Sequence, residues 1–447
     1  MKIVEKNNYV KVAFLFTFYF TMLIAIVFIL NKKHLFDHLS FLNTGYRQGE
    51  INYCVDGYAK TGQYLLRSYS QNDVDSTKGS TLILDPIENL GDDIGIYFFV
   101  PLIKNYFNIN RTYQAYYLLF STIVILGYFL AITGICLLYK NQTIRILGGI
   151  FIGLTAFFSL FIFDVYVWAF LLTSLIPLYI YAIQKTHDGH KKSFFYLIFF
   201  FIFIGVMIGF GNIFRSHSGT GVLIFIFIHL LLQKKQVFKI PFKIILLLVI
   251  FSATLLPHQI LDSYIKNRNQ WLEQHEIKIE KTTISSHVLW HPLFLGLGFI
   301  DNNKHGIEWS DQYGYKVANT IKPSLNVTSM QMSSEYEEIV KNKFREIIHK
   351  DFAFVLKTYL LKSFYVFLFL LPFLFLTIQY AFKNKLPFNL IFPFVAGISF
   401  YLLPAILVWP FPMYFLGAIN LLILAQILSM GSYYENLYQT NSELKQQ

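Results

Sequence analysis

Six acidic or basic positions stand out because each falls in a polar turn or loop beside a long apolar run. Two stretches read as helices lying along the membrane surface: VDGYAKTGQYLLRSY (55–69), which starts at Asp56, and GDDIGIYFFVPLIKNYF, which starts at Asp92 and Asp93. A carboxylate in a partly desolvated cleft has a raised pKa and can act as a general base near neutral pH. The plain alternative is helix capping, for which Asp is a favoured residue, although capping needs only one of Asp92 and Asp93. Asp164 interrupts FFSLFIFDVYVWAF, where an ionisable group at membrane depth is either functional or a turn residue at the water boundary. Arg215 and His217 sit in GFGNIFRSHSGTG, and the planar fork of an arginine can bind phosphate oxygens in two places at once. Interfacial snorkelling is the competing reading for Arg215, but Ser216, Ser218, Gly219 and Gly221 leave room for a bulky group to approach.

A later stretch, SSHVLWHPLFLGLGFIDNNKHGIEWSDQYGY, combines aromatic and hydrogen-bonding residues that could stack on a sugar and fix its hydroxyls. His287 and His291 have the spacing of one helix face, which zinc could use, but no Glu lies between them as in the zinc proteases. Trp290 and His291 are read instead as substrate contacts, with packing of the loop onto the membrane as the alternative. Ser334 to Glu337 reads as a capping box opening an amphipathic helix.

The elements that must position these residues are membrane spans. Crossing about 30 Å of hydrocarbon takes roughly 20 residues of helix. Ten runs qualify or come close, near 10–30, 113–139, 146–163, 165–183, 193–211, 219–232, 243–258, 353–382, 387–407 and 411–430. The sixth and seventh are short. Fourteen basic residues, from Lys2 to Lys385, fall in one alternate set of short connections, and the opposite set carries only Arg215. By the positive-inside rule both termini are expected in the cytoplasm, and the polar stretches 31–112 and 259–352 on the outer side. The first run is expected to be a signal anchor, since no small-residue cleavage pattern follows Leu30.

Composition agrees with a polytopic all-α membrane protein: 55% of residues are hydrophobic, 48 are Phe, and only 14% are charged. The net charge of +11 follows the loops and forms no stripe with interleaved aromatics, so it does not point to nucleic acid. Cys54 and Cys136 fall in a loop and a span, which argues against a disulfide between them. No phosphate-binding glycine loop is present, which argues against a pump with its own ATPase domain.

Taken together, the Asp56-Gly57-Tyr58 start of the first loop, the stretch from Asp93 to Asn110 and the large loop after span seven resemble the GT-C superfamily of integral membrane glycosyltransferases. The resemblance implies a seven-span catalytic module over 1–258, with a first outer loop at 31–112 holding the catalytic carboxylate. A second outer loop at 259–352, three further spans over 353–430 and a cytoplasmic tail at 431–447 would follow. It implies a polyprenyl-phosphate-linked sugar as donor and a glycan, lipid or protein hydroxyl as acceptor. Arg215 and His217 would then face the donor phosphate, and Asp56 or Asp93 would be the base. Many members carry a His-Pro-Pro type sequence where Asp92-Asp93-Ile94-Gly95 stands here, so the choice between Asp56 and Asp93 stays open. Some members place an acidic metal ligand in the turn that holds Asp164, which with Asp56 or Asp93 would bind a divalent ion. Two rival classes are a glycan polymerase, ligase or O-acyltransferase at the outer face, and a transporter or lipid flippase. A transporter would be expected to show repeated halves and charges paired within its spans.

Overall fold

The computed structural model describes residues 44–70, 82–87, 93–162, 164–186, 191–233, 239–275, 289–325, 327, 334–383 and 387–444. The first expected span, Asp92 and His287 lie outside these residues.

Among the described residues eight helices are long and apolar enough to cross a membrane: Thr112–Leu138, Gln142–Leu160, Val167–Thr186, Phe195–Phe214, Ile240–Gln274, Phe352–Phe375, Phe388–Leu407 and Pro412–Ser432. The chain is an integral, multi-pass helical membrane protein. The sixth expected span is the helix Thr220–Leu232, which at 1.5 Å per residue reaches about 20 Å and falls short of the hydrocarbon thickness. Pro412–Ser432 is 89% buried and forms the centre of the bundle, whereas Phe352–Phe375 is 22% buried and turns Phe364, Phe367 and Leu371 outward. Apolar side chains on that surface are the composition expected of a helix that faces lipid.

In chain order the first polar region contains α1 (Thr44–Thr61), the antiparallel pair β1 (Leu66–Ser70) and β2 (Leu82–Pro86), and α2 (Ile94–Tyr106). The spans that follow are α3 (Thr112–Leu138), α4 (Gln142–Ile162), the broken pair α5 (Val167–Thr173) and α6 (Ile176–Thr186), α7 (Lys191–Phe214), α8 (Thr220–Leu232) and α9 (Ile240–Gln274). The break has a local cause. Pro177 has no N–H to offer the carbonyl four residues back, and Asn420 from the central helix covers the gap with its amide, donating to Thr173 Oγ1 at 2.7 Å and Ser174 Oγ at 3.2 Å.

A continuous helix over 55–69, starting at Asp56, does not form. The helix instead ends at Thr61, Gly62 turns with φ +71°, Leu65 takes φ +58°, and the chain leaves as β1. Gly57 permits this, because a Cβ there would strike the carbonyl of Leu66. Asp85 is buried as the cross-strand partner of Arg67, whose guanidinium also holds Glu50 at 2.8 Å. Cys54 and Cys136 are both buried and free.

α9 is much longer than its apolar core. At 35 residues it extends about 52 Å, well past the bilayer. Gly205 and Gly209 of α7 let α9 approach closely, since a Cβ at either would meet Ile250 O or Thr254 O. The polar end of α9 then reaches the first loop. Buried Arg268 donates to Leu65 O and to Ile87 O at 2.9 Å, and Tyr264 Oη accepts the N–H of Tyr64 at 2.7 Å. The first loop and the segment leading into the second therefore meet at one end of the bundle.

The second polar region contains α10 (Trp290–Leu295), α11 (Asp311–Ile321) and α12 (Ser334–Lys350), followed by α13 (Phe352–Lys383), α14 (Phe388–Leu407) and α15 (Leu416–Leu444). Phe294, Leu297, Ala318, Tyr336, Val340 and Phe344 give it a small core of its own. The expected capping box is not used as such: Glu337 accepts the N–H groups of Trp290 at 3.0 Å and His291 at 3.1 Å, so it caps α10 from another helix.

Candidate functional site

Asp93 occupies the N-cap position of α2 but makes no side-chain capping hydrogen bond. Its carboxylate faces Arg215, with Oδ1 3.6 Å from a guanidinium nitrogen, and both side chains are less than one-fifth exposed. Close packing of α2 on α7 makes the pair possible. A Cβ on Gly95 would come within 2.7 Å of Ile213 Cγ2 and 2.9 Å of the Phe214 ring, so only glycine lets the start of α2 lie there. Phe99 stacks on Phe214 at 5.4 Å and extends the same contact one turn further.

Arg215 begins the short turn between α7 and α8. Its guanidinium carbon lies 5.1 Å from the centre of the Tyr166 ring, a cation–π distance. Tyr166 in turn packs edge-on against Tyr414 at 5.2 Å, and His217 lies 6.3 Å from Tyr166 and 6.4 Å from Tyr414. Three turns thus converge: the one after α4, the one between α7 and α8, and the one entering α15. Asp164, two residues before Tyr166, is 2% exposed. Its Oδ1 accepts the hydroxyl of Tyr116 at 3.2 Å and the N–H of Val165 at 2.7 Å.

The small residues after Arg215 serve packing. The ring of Tyr401 fills the space above Gly221, its hydroxyl donates to Ser218 O at 2.6 Å, and Gly219 abuts Ile208. The room expected beside Gly219 and Gly221 is therefore taken by the protein itself.

Asp56 is exposed on α1. Its helix also carries Tyr58, which stacks on Tyr64 at 4.3 Å and accepts from the Asn105 amide at 2.9 Å. Burial pushes the Tyr64 hydroxyl up to about 12, and its hydrogen bond with Tyr58 adds to the shift. His291 lies in the core of the second loop, with Nδ1 2.5 Å from the Tyr336 hydroxyl and Nε2 3.1 Å from Asp311 Oδ1. Both ring nitrogens are thus engaged within that loop. Trp290 packs beside Phe344 and under Arg345. Buried Lys362 donates to Val408 O at 2.8 Å, at the electronegative end of α14, and so ties α13 to α14. Among the described residues no three of His, Cys, Asp and Glu cluster as metal ligands would.

Sequence reasoning missed Tyr116, Tyr166 and Tyr414. Tyr166 carried a usable signal, because it follows Asp164 within the same interrupted apolar run; Tyr116 and Tyr414 carried none, since only the fold brings them near.

Fold and site define a multi-pass helical membrane protein with an ion-paired, aromatic-lined cluster where the start of α2 meets the turns after α4 and α7 and the entry to α15. Compared with known protein families, curated proteins and solved structures, the chain matches none.

Proposed function

We propose that the chain is a membrane glycosyltransferase of GT-C type, moving a sugar from a polyprenyl-phosphate donor to an acceptor hydroxyl at the outer face of the membrane. The observation that carries this reading is the Asp93–Arg215 pair, a carboxylate and a guanidinium 3.6 Å apart where the start of α2 meets the turn after α7. Such a pair supplies the two groups that glycosyl transfer needs. In the proposed reaction Asp93 accepts the proton of the acceptor hydroxyl, and the acceptor oxygen bonds to the anomeric carbon from the face opposite the donor oxygen. The bond from that carbon to the phosphate oxygen breaks, and the polyprenyl phosphate leaves with the electron pair. Arg215, with His217 beside it, meets the charge that develops on the phosphate. Of the two candidate carboxylates, Asp93 is favoured over exposed Asp56 because it adjoins the cation. A divalent ion using Asp164 belongs to the same proposal as an added electrostatic element, and no step depends on it.

The test is mass spectrometry of lipid-linked sugars and surface glycans in a deletion strain complemented with the intact gene or with Asp93→Asn. Loss of one sugar, with build-up of its polyprenyl-phosphate form, reversed only by the intact gene, supports the reading. Unchanged sugars with a missing acyl group, or an undecorated lipid retained inside, would replace it with an acyltransferase or a flippase.

A further inference from the structure

The second polar region contains a cleft that the transfer chemistry above does not use. A cavity of about 500 Å³ is lined by α11 and α12. Its walls follow helical periodicity. From α11 come Tyr313, Lys316, Val317, Thr320 and Ile321, and from α12 come Lys343, Glu346, Ile347 and Lys350. These are single faces, spaced three and four apart, that point into a space instead of at each other.

The chemistry is layered. Phe294, Ile307, Val317, Ile321 and Ile347 give the cleft its apolar lining, buried at Phe294, Ile307 and Ile347 and open at Ile321, which is 48% exposed. Apolar lining with a few polar groups at its edge is the general make-up of a small-molecule site. The rim is cationic: three lysines stand against one glutamate, leaving two net positive charges. Glu346 is shared by Lys343 at 2.7 Å and Lys350 at 2.6 Å, which holds those two ammonium groups on the same side of the cleft. Lys316 has no carboxylate within ion-pair range among the described residues. His305 closes one end, tied to Asp351 at 2.8 Å.

From this arrangement we infer that the cleft binds an anionic sugar, a pyranose bearing a phosphate or carboxylate group. The C–H face of the ring covers Val317, Ile321 and Tyr313, and the anion lies between Lys316 and Lys350. The volume suits one such unit, because small-molecule sites begin at roughly 300 Å³. Lysine supplies point charge without the two-pronged geometry of arginine, so the site selects for charge and ring face more than for one particular oxygen arrangement. This inference stands apart from the transfer reaction, and its test measures binding alone.

The full-length protein in nanodiscs of neutral phosphatidylcholine is titrated calorimetrically with glucose 6-phosphate and with glucuronate. Glucose and inorganic phosphate serve as the neutral and bare-anion controls, and Lys316→Glu and Lys350→Glu as variants. Both lysines are exposed, and unchanged thermal midpoints establish that the variants fold. The expected result is saturable binding of at least one acidic sugar, weakened about tenfold or more by each variant, with glucose and phosphate alone much weaker. The bound sugar should also shield Lys316 from amine acetylation read by mass spectrometry. Binding by neither acidic sugar overturns the inference, as does equal affinity in wild type and variants. Phosphate binding as tightly as the sugar phosphate would show a bare anion site. Displacement of the acidic sugar by vesicles containing phosphatidylglycerol, with vesicle binding lost in both variants, would assign the cleft to lipid headgroups.

Discussion

Asp93 and Arg215 face each other at 3.6 Å across the junction of α2 and the turn after α7, although they flank opposite ends of the six-helix stretch α2–α7. Asp93 makes no side-chain capping bond to α2, and the Arg215 guanidinium lies over the Tyr166 ring. If the pair carries transfer, Asp93→Asn should lower the rate by about 10²–10⁴-fold and Arg215→Ala by about 10²–10³-fold, with both variants still inserted and folded. Arg215→Lys keeps charge but loses the planar fork, so it should recover only part of the rate. Transfer by membranes containing each variant, normalised to folded protein, checks this. Rates that fall only in proportion to folded protein would reduce the pair to scaffold.

Gly95 controls the approach that makes the pair. Adding one methyl group at this position would press on Ile213 and Phe214, so α2 must shift or tilt. Gly95→Ala should therefore lower the turnover rate tenfold or more while changing the thermal midpoint little, because displacement by about an ångström is costly to aligned groups. Gly95→Leu should also destabilise. An alanine variant with full activity would show that the α2–α7 distance does not matter.

The role of Asp164 can be divided by substitution. Its Oδ1 takes two hydrogen bonds, from Tyr116 and from Val165 N–H, and an asparagine carbonyl can take both. Asp164→Asn should therefore fold as the wild type does, whereas Asp164→Ala strands two buried donors and should cost about 1–3 kcal/mol. Thermal unfolding in nanodiscs measures that difference. If Asp164→Asn is stable and still inactive, the negative charge has a task beyond the turn, as a metal or phosphate site would require.

The limits of the sequence follow from the range of the forces involved. Spans were legible because each is a contiguous apolar run, and the nine expected runs within the described residues fall on helices. The long polar end of α9 was not legible. Its helix from about residue 259 onward docks through Arg268 onto carbonyls of a distant loop, and no local pattern announces such a contact. The switch from α1 to β1 depends on Gly57 and on the φ of Leu65, and helix periodicity overrode the weaker turn signal at Gly62. At the site, Asp93 and Arg215 were each visible as polar residues in apolar surroundings, but their pairing is tertiary. Glu337 misled for the same reason, since a capping box and a carboxylate reaching to another helix share one sequence pattern.

Arg268 provides a test of loop docking. Buried and bonded to Leu65 O and Ile87 O, it fastens the β1–β2 unit to α9. Arg268→Met keeps most of the volume but leaves both carbonyls without this donor, so the first loop should loosen by about 2–3 kcal/mol. Limited proteolysis should then cleave within 44–87 at least tenfold faster, with the spans intact. Protection equal to wild type would mean that the strand pair is held by other contacts.

Acid should loosen the second loop before the bundle. Asp351 is pulled down from its ordinary 3.8 to about 2, first by Lys304 and then by His305, and joins the loop to the start of α13. A carboxyl depressed on folding stabilises the fold at pH above its unfolded value and loses that contribution as pH falls through the folded one. The window here therefore runs from about pH 4 down to about 2. Protection of 289–351 from an acid-tolerant protease should decline across that window, and Asp351→Asn should be weaker at neutral pH and flatter below pH 4. Because Lys304 is largely exposed, high salt should mimic part of the effect at neutral pH. A decline of the same steepness in wild type and Asp351→Asn would assign the acid sensitivity to other carboxylates, such as Glu346, which Lys343 and Lys350 also hold near 2.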